Sequence, residues 1–217
     1  MIRIISGIYK GRRLKKVPSL TVRPIQDKVK GALFSILHDR LRGTTCLDGF
    51  AGTGSIGLEA LSRGAATVVF VDEFYQAVKV IKDNIATCRA EEKAVVLHRE
   101  FNRAVIDLAK KGARFDVIFL DPPYRLLAER NPLRVIRKRD ILKPGGVIVL
   151  RYHYKTGPKP GDFALGREVK LGDDVLAFYS HRPPEKPASG PKAGTKPPAP
   201  AALKPKVSSR AGASRKK

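Results

Sequence analysis

The sequence predicts an α/β protein built on a doubly wound, Rossmann-like sheet of mostly parallel strands. Short apolar, β-branched runs alternate with segments whose apolar residues recur at helical spacing. A glycine-rich turn at 50–57 joins one such run to a helical segment with the spacing G-x-G-x-x-G. Another run, 116–120, stops at an Asp-Pro-Pro-Tyr sequence. Repeated strand–helix units of this kind form parallel sheets with helices on both faces.

The N-terminal segment is expected to form a β-hairpin followed by a helix. Residues 2–5 and 8–14 are short β-prone runs on either side of Ser6-Gly7. Asp27 is expected to cap a helix, because the apolar residues that follow it recur at helical spacing as far as Leu41.

The rest of the folded region is expected to alternate strands and helices. Strands are predicted at 45–50, 67–72, 94–98, 116–120 and 147–151. Helices are predicted near 58–63, 75–88 and 102–111, with a short one after Pro132, and a closing antiparallel hairpin is predicted from 168–171 and 175–181. A ligand crevice forms where the strand order of such a sheet reverses, so strands 45–50 and 116–120 are expected to be neighbours there.

Composition divides the chain into three regions. Residues 1–42 contain the basic hairpin and helix, and 43–182 form the α/β domain. Residues 183–217 contain eight of the 16 prolines, nine Lys or Arg residues, one Glu and no aromatic residue. This tail has too few apolar side chains to form a core and is expected to be disordered.

The charge balance predicts a polyanionic partner. The chain has 43 Lys and Arg residues against 20 Asp and Glu residues, a formal net charge of +23, of which +8 lies in the tail. Basic surfaces gain affinity for nucleic acid by releasing counterions from phosphates. No apolar run reaches the roughly 18 residues of a membrane span, and Cys46 and Cys88 show no disulfide or zinc spacing. We expect a cytoplasmic monomer with buried thiols and no metal site.

The Asp-Pro-Pro-Tyr segment at the end of strand 116–120 is the candidate catalytic segment. Asp121 places a carboxylate at the end of a buried strand, and Pro122 and Pro123 lack N–H donors, which leaves nearby carbonyls open to a ligand. Tyr124 adds an aromatic face. This set suits a planar heterocycle with an exocyclic amino group, although Asp and Pro are also ordinary turn residues.

The glycine-rich turn predicts a site for a nucleoside ligand. Gly52, Gly54 and Gly57 let a ligand approach the backbone, and no Lys-Ser or Lys-Thr follows to make a phosphate-binding P-loop. Asp48 would repel a triphosphate and therefore favours a ligand with a cationic part. Asp72 ends the next strand, where an acid can accept hydrogen bonds from a ribose diol; the alternative is a surface aspartate that begins a turn.

A dense basic cluster near the N-terminus is a candidate RNA-backbone site. Between residues 3 and 30 there are nine basic residues and a single acid, Asp27. The basic residues are Arg3, Lys10, Arg12, Arg13, Lys15, Lys16, Arg23, Lys28 and Lys30. Lysines also protect exposed edge strands against aggregation, but this density exceeds that need.

Several segments together resemble the RsmD-like bacterial small-subunit rRNA guanine-N2 methyltransferases. The matching segments are RIISG at 3–7, KGRR at 10–13, LDGFAGTGSIGLEALSRGA at 47–65 and DPPY at 121–124. The resemblance covers residues 1 to about 181 and implies a class I S-adenosylmethionine-dependent fold, with a seven-stranded, mostly parallel sheet whose last strand is reversed. It also implies methyl transfer from S-adenosylmethionine to the exocyclic N2 amine of a guanine in ribosomal RNA or an assembling small subunit.

The residue patterns and the resemblance together give the expected roles of individual residues. Those expected to act on the base are Asp121, Pro122, Pro123 and Tyr124. Those expected to bind the cofactor are Asp48, Phe50, Ala51, Gly52, Gly54, Asp72, Glu73, Glu100, Phe101 and Asp121. Those expected to bind RNA are Arg3, Lys10, Arg12, Arg13, Arg23 and Lys28. Two alternatives stay open: a DNA adenine or cytosine amino methyltransferase, and a catalytically silent RNA-binding assembly factor.

Overall fold

The computed structural model describes residues 2–18, 25–123, 126–127, 131–158 and 163–182. Contacts divide the chain into two units, Met1–Pro183 and Pro184–Lys217, and every element described below belongs to the first. The predictions made for Arg23, for Tyr124 and for the tail lie outside the described residues. Within the described ranges, no helix is long and apolar enough to cross a membrane.

The described elements follow the predicted alternation closely. The strands are β1 Ile2–Arg3, β2 Arg13–Leu14, β3 Thr45–Asp48, β4 Thr67–Asp72, β5 Ala94–His98, β6 Phe115–Leu120, β7 Leu142–His153, β8 Ala164–Leu171 and β9 Asp174–Ser180. The helices are α1 Asp27–Leu37, α2 Ser55–Ser62, α3 Tyr75–Cys88, α4 Phe101–Lys110 and α5 Pro132–Arg139. Strand β7 is longer than the predicted 147–151 at both ends, because Leu142 pairs with Phe115 of β6 and His153 pairs with Asp174 of β9.

The large sheet has seven strands in the order β5-β4-β3-β6-β7-β9-β8. All neighbours from β5 to β7 are parallel, and β9 is antiparallel to both β7 and β8. The chain moves outward through β4 and β5 from β3, then returns to β3's other side with β6. The doubly wound sheet with a reversed last strand is therefore confirmed, and so is the adjacency of β3 and β6 at the reversal.

Alternating side chains of the central strands build one core on each face of the sheet. In β6, Val117 and Phe119 contact the side formed by the N-terminal hairpin, α1, α2 and α3. Ile118 and Leu120 contact the other side, formed by α4 and α5. Parallel strands that are covered on both faces are apolar throughout, which is why the sequence showed short continuous runs. Cys46 and Cys88 are buried free thiols, as predicted.

The N-terminal hairpin differs from its prediction in the length of its strands. Only Ile2–Arg3 and Arg13–Leu14 pair as strands. The segment between them folds onto the end of α2, where the amides of Ile8 and Tyr9 donate to the carbonyl and hydroxyl oxygens of Ser62 at 2.8 and 2.9 Å. Ile4 still exchanges backbone hydrogen bonds with Gly11 and Arg12, but the amides of Ile8 and Tyr9 bond to the body of the domain instead of to a partner strand.

Two predictions for charged residues near the N-terminus were wrong. Asp27 does not cap α1: the N-cap is Gln26, and Asp27 accepts a bond from Arg3 Nε at 3.1 Å. Lys30 is not a surface cation, because its side chain is 1% exposed and lies 3.3 Å from the Glu59 carboxylate, which is fully buried. Helix α1 also ends at Leu37, and a 3₁₀ turn at His38–Leu41 completes the predicted span.

The buried pair of Lys30 and Glu59 attaches the N-terminal hairpin to the domain. Lys30 Nζ donates to the carbonyl oxygen of Arg3 at 2.6 Å. The Glu59 carboxylate accepts the backbone amides of Ile5 and Ser6 at 2.8 and 3.0 Å. A buried charge is tolerated when it is paired and its remaining hydrogen-bonding groups are satisfied, and both conditions hold here.

Candidate active site

Three of the predicted acids meet at the carboxyl edge of the parallel strands. Asp48 ends β3, Asp72 ends β4, and Asp121 follows directly after β6. The loop after β3 is tied to both neighbours, since the Gly49 amide donates to the Phe119 carbonyl and the Ala51 amide to the Val71 carbonyl. We call Asp48, Asp72 and residues 49–57 the glycine-loop side of this crevice.

On the glycine-loop side, Asp48 is a buried carboxyl group. It is 2% exposed, and its Oδ2 accepts the backbone amide of Gly57 at 2.9 Å. Burial raises the pKa of Asp48 to about 7, and the nearby charges of Asp121 and Asp72 act in the same direction. A cationic ligand group would stabilise the ionised form of such an acid.

The glycines of the turn serve two different purposes. Gly54 has φ +74°, a left-handed conformation that glycine adopts without strain, and it is the N-cap of α2. Gly57 lies against strand β4, where a Cβ would come within 2.3 Å of the Phe70 ring. The first glycine shapes the turn, and the second lets α2 pack closely on the sheet.

Asp72 joins the end of β4 to the glycine-rich turn. Its Oδ2 accepts the Gly52 amide at 2.8 Å, and its Oδ1 accepts the Phe74 amide at 2.9 Å. Burial raises the pKa of Asp72, although these amide bonds oppose the shift. Each carboxylate oxygen has a second lone pair, so the group can still accept hydrogen bonds from a diol.

Glu73, Glu100 and Phe101 follow the neighbouring strand ends. Both Glu100 oxygens cap α4 by accepting the amides of Asn102 and Arg103 at 3.1 and 3.0 Å. Phe101 is buried, and its ring stacks on Phe50 with centroids 4.8 Å apart. The Glu73 carbonyl lies 2.9 Å from His98 Nε2. The Glu100 carboxylate thus has a structural partner that the sequence analysis did not foresee.

The other half of the crevice is built around Asp121, Arg151 and Asp174, which we call the Asp121 side. Arg151 Nη1 donates to Asp121 Oδ2 at 2.5 Å, and Arg151 Nε donates to Asp174 Oδ1 at 3.2 Å. The Arg151 side chain is 8% exposed, whereas that of Asp121 is 25% exposed. Asp121 is therefore held in place yet still reaches solvent.

Burial and ion pairing have opposite effects on the pKa values of Asp121 and Arg151. Burial raises the pKa of Asp121, and Arg151 partly offsets that shift. Burial alone would lower the pKa of Arg151, but the two carboxylates outweigh it and raise that pKa, so the guanidinium stays protonated. Sequence reasoning missed both Arg151 and Asp174. The available signal was the charge of Arg151, which directly follows the apolar run 147–150 in a strand flanked by others.

The predicted RNA-binding residues differ in how they are engaged. Arg3 pairs with Asp27, and Arg12 donates to the Thr87 carbonyl while its guanidinium lies 5.4 Å from the centre of the Tyr9 ring. The remaining described residues of this set are exposed: Lys10, Arg13 and Lys28.

Comparison with known proteins matches the chain over almost all of its described length. A model of the family described as Conserved hypothetical protein 95 matches residues 2–180. The Ribosomal RNA small subunit methyltransferase D of Haemophilus influenzae is 36% identical over 187 residues, which cover 83% of this chain and 94% of that protein.

Solved structures give the same picture of the fold. A hypothetical protein of Thermus thermophilus is 31% identical with a TM-score of 0.71, and the match covers 82% of this chain and 98% of that one. A SAM-dependent methyltransferase from Agrobacterium tumefaciens is 18% identical with a TM-score of 0.55, covering 74% of this chain and 63% of that one. The sheet described above is thus the fold of S-adenosylmethionine-dependent methyltransferases.

Proposed function

The chain belongs to the Conserved hypothetical protein 95 family, and from this premise we propose that it transfers a methyl group from S-adenosylmethionine to the exocyclic N2 amine of a guanine in small-subunit ribosomal RNA. The observation that supports this most is the side-by-side placement of two unlike sites where the strand order reverses. The glycine-rich turn at 50–57 follows β3, and an Asp-Pro-Pro segment follows β6, its immediate neighbour.

The glycine-loop side fits the cofactor. The buried Asp48 carboxyl can ionise near neutral pH beside a cationic methionine group, and the turn at Gly52–Gly54 lets that group approach the backbone. Asp72 would accept hydrogen bonds from the ribose hydroxyls. When bound, the cofactor supplies an activated methyl group, so the protein's task is to align the acceptor amine with it.

The Asp121 side fits the acceptor base. The amine of guanine is a weak nucleophile because its lone pair is delocalised into the ring. Hydrogen bonds from its N–H groups to the Asp121 carboxylate and the Pro122 carbonyl would favour a pyramidal nitrogen and localise that pair. Tyr124, outside the described residues, is assigned to stack on the base once it has left its helix or loop.

Asp121 is assigned a positioning role before it takes up any proton. Burial raises the pKa of Asp121 and Arg151 opposes that shift, but the amine loses a proton readily only after methylation has made it cationic. Exposed cations of the N-terminal region, residues 1–42, would hold the RNA backbone beside the crevice, with Lys10, Arg13 and Lys28 as the contacts.

The proposal is tested by methyl transfer to defined RNA. We expect small-subunit particles or rRNA incubated with the protein and labelled S-adenosylmethionine to yield N2-methylguanosine in nucleoside mass spectrometry. An RNA with inosine at the target position lacks the exocyclic amine and should accept no methyl there. Methylation of the inosine RNA would show that another atom is the acceptor. Transfer to duplex DNA alone would favour an amino methyltransferase of DNA, and binding without transfer a silent assembly factor.

A further inference from the structure

We propose that Arg151 is a positioning residue for the reaction: anchored by Asp174, it fixes the orientation and the negative charge of the Asp121 carboxylate for the acceptor amine. This inference rests on the proposed function, because it assigns Asp121 to the amine. Arg151 itself is not assigned a contact with base or cofactor. The argument depends on the register of three strands, on the burial of the guanidinium and on the charges around Asp121.

The strand register brings the three side chains together. Leu120 of β6 pairs with Leu150 of β7, so the next residues, Asp121 and Arg151, lie beside each other at the edge of the sheet. On the other side of β7, Arg151 pairs with Leu176 of β9, and Asp174 lies two residues from Leu176 on the same face. The guanidinium therefore lies between the carboxylate of Asp121, directly after β6, and that of Asp174 in β9.

The anchor to Asp174 determines where the rest of the guanidinium points. A guanidinium is planar, with its five N–H donors in a fixed fork. Because Nε donates to Asp174 at 3.2 Å, Nη1 is directed to Asp121, which it reaches at 2.5 Å. This contact occupies Asp121 Oδ2 and leaves Oδ1 to accept a hydrogen bond from the N–H group of the amine. Burying a guanidinium that is only 8% exposed is costly unless carboxylates pair with it, so Arg151 should keep both of its ion pairs.

The second effect of Arg151 is on the charge of Asp121. Burial raises the pKa of Asp121, as does the carboxylate of Asp174 in β9, while Arg151 in β7 lowers it. Asp48 in β3 is a further neighbouring acid, whose own pKa is raised by Asp121. Among the described residues, Arg151 is the group that lowers this pKa, so the pKa of Asp121 should rise when Arg151 is replaced. Since the carboxylate is the active form, the acid limb of the turnover profile would move to higher pH.

The alternative is that the Arg151 pairs only hold β7 to its neighbours. A purely structural contact would lower melting temperature, cofactor binding and turnover together, with no change in the pH at which activity is lost. A positioning role instead lowers turnover selectively and moves the acid limb. The two roles are therefore separated by the pH profile and by cofactor affinity, measured on the same folded protein.

The experiment compares the full-length protein with Arg151→Gln, Arg151→Lys and Asp174→Asn. Arg167→Gln is the matched control, because Arg167 lies exposed on the edge strand β8 and its replacement removes the same charge. Turnover at saturating RNA is measured from about pH 6 to about pH 9. Cofactor affinity is measured by calorimetry and folding by thermal unfolding.

We expect Arg151→Gln to lose at least about tenfold in kcat at neutral pH, with an acid limb at higher pH and nearly unchanged cofactor affinity. Arg151→Lys keeps the charge but not the fork, so its kcat should fall while its acid limb stays close to wild type. Asp174→Asn removes the anchor and also a charge that raises the pKa of Asp121, so its kcat should fall without an upward movement of the limb.

Two results would overturn the inference. One is an Arg151→Gln protein whose kcat and pH profile match those of Arg167→Gln. The other is an Arg151→Gln protein whose fall in kcat is the same at every pH and is accompanied by equal losses in cofactor affinity and melting temperature. If the wild type proves inactive on RNA, the proposed function fails, and the titration of the Asp121 carboxyl by carbon-13 NMR still tests the Arg151 contact. That pKa must rise in Arg151→Gln, and an unchanged titration rejects the charge effect.

Discussion

The two sides of the crevice hold their carboxylates in different ways. On the glycine-loop side, Asp48 and Asp72 accept backbone amides from Gly57, Gly52 and Phe74, all within 20 residues of the acid. On the Asp121 side, the carboxylate is held by a side chain 30 residues away, which is itself anchored on a third strand. Backbone amides keep their geometry when a side chain is replaced, whereas an arginine bridge is lost with one substitution. We therefore expect the Asp121 side to be the more sensitive of the two to mutation.

The largest expected effect is that of Asp121→Asn on methyl transfer. The amide keeps one acceptor oxygen but loses the charge, and its NH₂ group can face the N–H donors of Arg151 or of the base. Turnover should fall by roughly 10²–10³-fold, the size of effect seen when one pre-oriented polar group is lost from an active site. Single-turnover methylation of rRNA measures this directly.

A matched control uses the other end of the same strand. Asp116 lies in β6, where it accepts bonds from Lys143 Nζ and the Thr45 amide, both at 2.8 Å. Asp116→Asn makes the same chemical change far from the crevice and should retain most of the turnover. Cofactor affinity should change little in either variant. A fully active Asp121→Asn enzyme would show that Asp121 is only a turn residue.

The second expected effect is a loss of cofactor affinity in Asp72→Ala. Removing hydrogen bonds to a charged acceptor costs about 1.5–3 kcal/mol, or roughly 10–150-fold in the dissociation constant. Asp72→Asn keeps one acceptor oxygen and should lose less. Calorimetric titration with S-adenosylmethionine measures both, and thermal unfolding shows whether the bonds to Gly52 and Phe74 were needed for folding. Equal affinity in wild type and Asp72→Ala would remove Asp72 from the cofactor site.

A smaller effect is expected from the ionisation of Asp48. Burial raises its pKa to about 7, so the carboxyl is neutral below that pH and charged above it. A cationic ligand prefers the carboxylate, and its affinity should therefore increase as the pH rises through about 7 and then level off. A single group of this kind changes affinity by at most about tenfold per pH unit. Asp48→Asn should flatten the profile, and an unaltered profile in that variant would contradict the assignment.

The contrast between contacts made within a short stretch of chain and contacts made between distant segments explains which parts of the protein could be predicted from sequence. The strand end at Asp72 and the turn at 50–57 were predicted because spacing and residue type act within a few residues, whereas β3 ends at Asp48, two residues before its predicted end. The partners of Glu59 and Arg151 could not be predicted, because they lie 54 and 30 residues away and depend on how the elements pack. Glu59 reads as an ordinary helix residue, yet its carboxylate is fully buried against the hairpin.

The two wrong predictions near the N-terminus have the same cause. Asp27 has the residue type of a helix cap, but the cap position falls on Gln26, and the Asp27 carboxylate accepts a bond from Arg3, 24 residues away. Lys30 is one of a run of cations, but it faces the buried Glu59 across the interface of α1 and α2. Composition gives the sign and density of charge on a segment. Which of those charges reach the surface is decided by tertiary contacts.

The smallest expected effect concerns the exposed cations of the N-terminal hairpin, and it compares one of them with a neighbour that the domain holds in place. Arg12 and Arg13 are adjacent, but Arg12 donates to the Thr87 carbonyl and packs over Tyr9, whereas Arg13 is exposed. Arg13→Gln should weaken RNA binding by a few-fold and reduce the slope of log K against log salt by about 0.7–0.9, since one phosphate contact is lost. Its melting temperature should equal that of wild type. Arg12→Gln should instead lower the melting temperature, because it removes a contact between the hairpin and α3. Filter binding of rRNA at several salt concentrations measures the salt slope, and thermal unfolding of each variant measures the melting temperature.

If Arg13→Gln leaves the salt slope unchanged, the exposed cations of the hairpin do not contact phosphate, and the RNA backbone must be held elsewhere on the domain.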